Sequence, residues 1–177
     1  IGDRYFNNAV FNQWGASGLA AVWAEENTRN SIFEAFRRKE TYATSGTRIK
    51  LRFFAGYDIE ASLLDSDDVI KEAYEKGVPM GQDLEASDGL KPSFLIWALR
   101  DKNSAPLQRV QIIKGWVERI SGKPHEEIID VMCSDGLMPD PETNRCPDNG
   151  ALVDISDCSI SSDVGADELK TIWTDNS

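Results

Sequence analysis

Histidine is nearly absent: among 177 residues only His125 carries an imidazole, so a histidine-rich metal cluster or a Ser/His/Asp triad would have to be built around that one ring. Cysteine is scarce too, with Cys133, Cys146 and Cys158 as the full set and no Cys-x-x-Cys spacing, which argues against zinc-ribbon or thioredoxin-like chemistry. No stretch approaches the ~18–20 consecutive apolar residues of a membrane span, and no basic segment leads into an apolar run at the N-terminus. Positive charge is in short supply: 19 Lys and Arg stand against 30 Asp and Glu, for a net charge of -11. Such a surface repels the phosphate backbone that dominates nucleic-acid affinity, so no nucleic-acid partner is expected.

Apolar residues make up 41% of the chain, enough for one core and at most two small ones. The chain starts at Ile1 rather than Met, and its last pattern, Glu168 to Asp175, has no closing element behind it, so a piece of a longer protein is expected. Residues 1 to 24 read as loop leading into a short buried strand. Thr28 is a candidate N-cap for a helix reaching Glu40, with Ile32, Phe33, Ala35 and Phe36 on its apolar stripe and Arg37, Arg38 and Lys39 at its negative end. From Thr41 the period changes to two, and Ile49, Leu51 and Phe53 alternate with Arg48, Lys50 and Arg52 up to Gly56, as in a strand with one wet face. Ser66 is placed to cap a second helix within 65–77, with Val69, Ile70, Ala73 and Tyr74 inward and Gly77 as its C′ residue. Strands are expected at Phe94–Leu99, Val110–Trp116 and Glu127–Met132, joined by short polar turns that favour antiparallel pairing. Residues 134–150 are crowded with turn formers and read as a long acidic surface loop.

Most of the tryptophans, Trp14, Trp23, Trp97, Trp116 and Trp173, sit within apolar alternation and are expected in the core rather than on a sugar-stacking platform. His125, flanked by Glu126 and Glu127 on a strand, makes a poor metal site because neighbouring strand residues point to opposite faces. Asp135, Asp140, Glu142, Asp148 and Asp154 offer hard oxygen ligands, so Ca²⁺ in the 134–154 loop is conceivable on ligand type, although their spacing does not fit the twelve-residue calcium loop. Three cysteines fit either one disulfide with one free thiol or three free thiols, and a disulfide would favour a periplasmic or extracellular location.

Gly18-Leu-Ala-Ala-Val-Trp-Ala-Glu-Glu-Asn-Thr-Arg29, Ile32 through Gly46, Arg48 through Gly56, Gly77-Val-Pro-Met-Gly81, Phe94 through Asp101 and Pro106 through Trp116 together resemble the Domain of Unknown Function 3604 family. The resemblance implies a family of large, mostly bacterial proteins related to the PHP (polymerase and histidinol phosphatase) metallohydrolases. The helix followed by Tyr42-Ala-Thr-Ser-Gly46 resembles the closing turn of a PHP-type barrel before a C-terminal β domain. The resemblance implies a barrel that holds divalent metals and hydrolyses a phosphoester or related ester with a metal-bound water. The family's Gly-Asp-Leu-His-x-His and Asp-x-His metal motifs have no match here, so neither metal ligands nor catalytic residues are assigned to this chain.

The expected fold is therefore α+β, with residues 1–46 as the end of a PHP-like barrel and 47–177 as a β-rich, sandwich-like domain carrying one inserted helix. The expected role is the C-terminal portion of a metal-dependent hydrolase, silent alone and partnered by the rest of the barrel. Thr44, Ser45, Gly46 and Arg48 would cradle an anionic small-molecule substrate, and Thr28 and Arg29 would assist from a helix N-terminus. Two alternatives stay open: an extracytoplasmic β-sandwich module that binds a carbohydrate or protein, and a scaffold domain with no ligand. The first predicts a contiguous exposed aromatic face, whereas a severed hydrolase predicts an exposed apolar surface beside the Thr44–Arg48 turn.

Overall fold

The computed structural model describes residues 18–176, and within them the chain opens as a small strand–helix–strand unit. Strand β1 (Leu19–Val22) leads to helix α1 (Arg29–Arg37), and β2 (Thr41–Thr44) returns antiparallel to β1 with Leu19 opposite Thr44. Thr28 caps α1 as its sequence suggests, its hydroxyl accepting from the Ser31 amide at 3.3 Å. The helix ends at Arg37, earlier than Glu40, because Lys39 turns into the left-handed region at φ 59° and Glu40 is drawn inward, where it is 3% exposed. Its apolar stripe does not form a core: Ala35 is buried, but Phe33 and Phe36 are 56% and 52% exposed. β1 is likewise not a buried strand, since Leu19 and Ala20 are exposed. The stretch 1–17, with Trp14, lies outside the described residues.

The alternation from Tyr42 to Gly56 divides between two sheets rather than forming one strand, because the Ser45–Gly46 turn breaks the pairing. β3 (Lys50–Gly56) joins a second, four-stranded antiparallel sheet. There β4 (Val78–Pro79) flanks it on one side and β5 (Ser93–Leu99) on the other, with β10 (Glu168–Thr174) outside β5. Both faces of this sheet are covered in part. On one face Phe54 and Leu95 pack with Ile59, Leu63, Val69 and Ala73, which come from a 3₁₀ turn (Ala61–Asp65), the segment before it and helix α2 (Val69–Lys76). On the other face Ile96 and Leu169 pack with Val110, where the ribbon of β6 (Arg109–Val117) and β7 (Pro124–Cys133) lies against the sheet. The layers are thus helix, sheet and ribbon, an α+β architecture built on antiparallel pairing. Small strands β8 (Val153–Asp154) and β9 (Ser159–Ile160) form a separate hairpin.

Asp68, not Ser66, occupies the N-cap position of helix α2 and makes no side-chain capping bond there, while the Ser66 hydroxyl accepts from the Asp68 amide and donates to Glu72. Gly77 is not a left-handed C′ residue. Its φ of -161° is ordinary extended backbone, and glycine is needed because a Cβ there would come within 2.3 Å of the Ala55 carbonyl oxygen. The tryptophans are less buried than their apolar surroundings suggest: Trp23, Trp97 and Trp173 are half-buried and Trp116 is 43% exposed, stacked on His125 with ring centroids 5.2 Å apart.

Of the cysteine alternatives, the structure has one disulfide, Cys133–Cys146, and one exposed free thiol, Cys158. The bridge ties the end of β7 to the acidic loop, across a sequence separation of 13. Loop-closure entropy for a loop of about this size is worth ~3 kcal/mol in the chain-entropy description. Reduction is therefore expected to lower the unfolding free energy by about 2–3 kcal/mol in urea titrations run with and without dithiothreitol. Coincident curves would show that the loop is held without the bridge.

Candidate functional site

The period-two alternation of β3 places Lys50, Arg52 and Phe54 on the sheet face that carries α2, and antiparallel register sets Lys50 opposite Leu99 and Arg52 opposite Trp97. Helical cover reaches Phe54 and Leu95, while beyond them the face opens as a cleft. The first compartment, about 270 Å³, is lined by Trp23, Lys50, Arg52, Ile70, Trp97 and Leu99. Lys50 and Leu99 also line a second compartment of about 420 Å³, which adds Arg48, Arg100, Asp101, Lys102, Asp167 and Glu168. A protein of net charge -11 thus gathers four cations, Arg48, Lys50, Arg100 and Lys102, around one opening.

These cations are not equivalent. Arg100 is committed to Asp167 at 2.7 Å. Asp101 spends its carboxylate on backbone, accepting from the Arg48 amide at 2.9 Å and the Asn103 amide at 3.0 Å, and these bonds hold it below the usual carboxylate range. Asp101 thereby fixes the main chain of Arg48 beside the second compartment. Among the described residues no salt bridge engages the side chains of Arg48, Lys50 or Lys102.

Arg52 is held most firmly. Its guanidinium lies 3.4 Å from the centroid of the Trp23 ring, and Trp23 is itself anchored by an indole N–H bond to the Leu51 carbonyl at 2.8 Å. Arg52 also donates to Glu40 Oε1 at 3.2 Å and to the Tyr74 hydroxyl at 3.1 Å, while Tyr74 donates to Glu40. Arg38 approaches the other oxygen of Glu40 at 3.6 Å. Burial, and then the adjoining Glu40 carboxylate, push the Tyr74 hydroxyl above its ordinary value, so it stays a proton donor. The near-complete burial of Glu40 is therefore compensated by two guanidinium groups and a phenol, and this network joins the β1–α1–β2 unit to the sheet.

Only part of the sequence-predicted site meets this cleft. Arg48 lines the second compartment. The Thr44 hydroxyl closes its own turn, donating to the Thr47 carbonyl and accepting from the Gly46 amide, with Ser45 exposed beside it and Gly46 at φ 132°. Thr28 and Arg29 stand exposed at the start of α1 and line neither compartment. Lys50, Trp23 and Trp97 were missing from the predicted site, although the every-second-residue run Arg48, Lys50, Arg52 was a visible signal for a basic sheet face. Three loop acids hold their own turns, Asp140 accepting from the Glu142 and Thr143 amides, Asp148 from Gly150 and Asp154 from Ser156, whereas Asp135 ties distant segments together by accepting from the Asn149 side chain and the Gly165 amide. No group of three or more His, Cys, Asp or Glu is gathered as a metal ligand set among the described residues. No helix among them is long and apolar enough to cross a membrane.

Fold and cleft together define an α+β domain with a cation-rimmed cleft walled in part by tryptophan. The sequence matches the family described as protein of unknown function (DUF3604) over residues 4–177, and the chain belongs to that family. No curated protein and no solved structure matches it.

Proposed function

We propose that this chain is the C-terminal, substrate-holding portion of a PHP-like metal-dependent hydrolase, with the metal-bearing barrel supplied by sequence outside these residues. The observation that carries the reading is the clustering of Arg48, Lys50 and Lys102 around one opening, their side chains in no salt bridge among the described residues of an otherwise acidic protein. Cations converging on a cleft form a site for one anionic group, such as the phosphoryl or carboxyl group of an ester substrate, even with Arg48 near enough to Asp101 to help lower its carboxyl. The exposed apolar side chains Leu19, Phe33 and Phe36 support a companion surface next to the β1–α1–β2 unit, which suits a barrel packed there. The carbohydrate-module alternative draws less support, because Trp116 alone among the described tryptophans is exposed, and its ring is already stacked on His125.

The test uses the full-length gene product with added Mn²⁺, Zn²⁺ or Mg²⁺ on a phosphoester and carboxylester panel. Hydrolysis is expected to require metal, and Arg48→Ala to raise KM about tenfold with kcat within about twofold, the pattern of a residue that binds the ground and transition states alike. Unchanged KM in Arg48→Ala, or no turnover on any ester with any of the three metals, would overturn the reading.

A further inference from the structure

The two compartments of the cleft differ in chemistry, and the difference narrows the ligand. The second compartment is lined by charged side chains of both signs, with Asp101, Asp167 and Glu168 beside the cations. The first is walled mainly by Trp23, Ile70, Trp97 and Leu99, with Lys50 at the junction and the Arg52 charge already balanced by Glu40. An inorganic anion would use the junction and leave the apolar compartment wet. A polyanion would meet the acidic rim in addition to the net charge of -11.

From this we infer that the cleft takes a small organic anion with a single charged group and an apolar, ring-sized body, the charge at Lys50 and the body between Trp97, Leu99 and Ile70. The inference rests on the anion-holding role proposed above and adds the substrate class. Its apolar part follows from the lining: Trp97, Leu99 and Ile70 present apolar walls, and a phenyl-sized body seated against them is removed from water together with them. Trp97 offers a further observation. Trp23 is pinned through its indole N–H, whereas the indole N–H of Trp97 is buried and finds no acceptor among the described residues. Buried donors are rarely left so, and the exceptions call for a reason. A tryptophan held by packing and by Lys170, 4.8 Å from its ring centroid, rather than by a hydrogen bond, can adjust to a body seated against it.

The experiment titrates the full-length gene product, with metal withheld so that no ester is turned over, with phenyl phosphate, inorganic phosphate and phenol in turn, following tryptophan indole N–H resonances by ¹H–¹⁵N NMR. Phenyl phosphate is expected to bind at least tenfold more tightly than either inorganic phosphate or phenol. Lys50→Gln, a change at an exposed side chain that leaves the fold intact, is expected to weaken phenyl phosphate at least tenfold. Equal affinity for phenyl phosphate and inorganic phosphate would overturn the ring-sized body and leave the anion-holding role standing. Phenol binding as tightly as phenyl phosphate would overturn the charged contact, and no binding of any of the three would overturn both proposals.

Discussion

Asp130→Ala is expected to destabilise the fold by about 3–5 kcal/mol, the range found when one member of a buried charged network is removed. The Asp130 side chain is fully buried on β7 and sends both oxygens to work: Oδ1 accepts from Gln111 at 2.6 Å and Oδ2 from the Cys146 amide at 2.7 Å, with Arg109 at 3.7 Å and Arg145 at 3.9 Å. It therefore joins β6, β7 and the acidic loop at the point where the disulfide also fastens them. Asp130→Asn should cost less, since it keeps the shape, but it still loses the charge that two guanidinium groups compensate. Urea unfolding of the three proteins tests the order, and a loss below 1 kcal/mol in the alanine variant would show that the loop is secured elsewhere. A pH arm follows from the same group. Burial raises the Asp130 carboxyl, yet the bonds from Gln111 and Cys146 and the charges of Arg109 and Arg145 outweigh it and leave the net value lowered. A lowered native value means that the contribution is fully present above the unfolded aspartate value of ~3.9 and is lost as pH falls from there through the native one. The stability difference between wild type and Asp130→Asn should therefore be constant from pH 5 to 7 and shrink below about pH 4.

Gly81→Ala is expected to cost about 4 kcal/mol, summing a left-handed backbone penalty of ~1–2 kcal/mol and an overpacking penalty of ~1–3 kcal/mol. Gly81 sits at φ 83°, and a Cβ would come within 2.1 Å of the Lys39 carbonyl oxygen and 2.6 Å of the Lys39 Cβ. Lys39 is itself left-handed, so two tight corners meet back to back, and the Gln82 side chain adds a hydrogen bond to the Arg38 carbonyl. This contact seats the α1–β2 corner against the end of β4. At ~2–4 °C per kcal/mol for a domain of this size, the melting temperature should fall by about 8–16 °C. Gly89→Ala is the control, because Gly89 has φ 77° but nothing within 4 Å of the added carbon. The excess loss in Gly81→Ala over Gly89→Ala isolates the clash, and equal losses would refute it.

Periodicity carried the parts of the fold that obey local rules. β5, β6 and β7 lie where alternation and turn residues place them, and Thr28 caps α1 because capping depends on residues only three apart. What local pattern could not reveal depends on distant neighbours. Glu40 leaves the helix because Arg52, twelve residues on, compensates its charge inside, and Gly77 is glycine because the Ala55 carbonyl crosses it. The helix stripe of Phe33 and Phe36 shows that amphipathic spacing promises a buried face without naming what buries it. At the site, Arg48 was legible as a cation beside a turn, but the cleft needs Trp97 and Leu99 from a strand fifty residues away, brought opposite β3 by register alone.

The order in which the four-stranded sheet is assembled sets a timetable for synthesis. Its outer strand β10 follows every other described element in the chain, yet it supplies Leu169 to one core and Ile172 to the other and pairs with β5 along seven residues. While the chain is still emerging from a ribosome, β3 and β5 can pair, but the edge of β5 stays open and both apolar clusters lack one wall. Pairing across some seventy residues also carries a loop-closure cost that slows the final step. The half-made chain therefore spends its riskiest interval as a three-stranded intermediate with an unpaired edge, and stop codons placed before Glu168 should yield insoluble product even though the helices, the cleft cations and the disulfide are all encoded upstream.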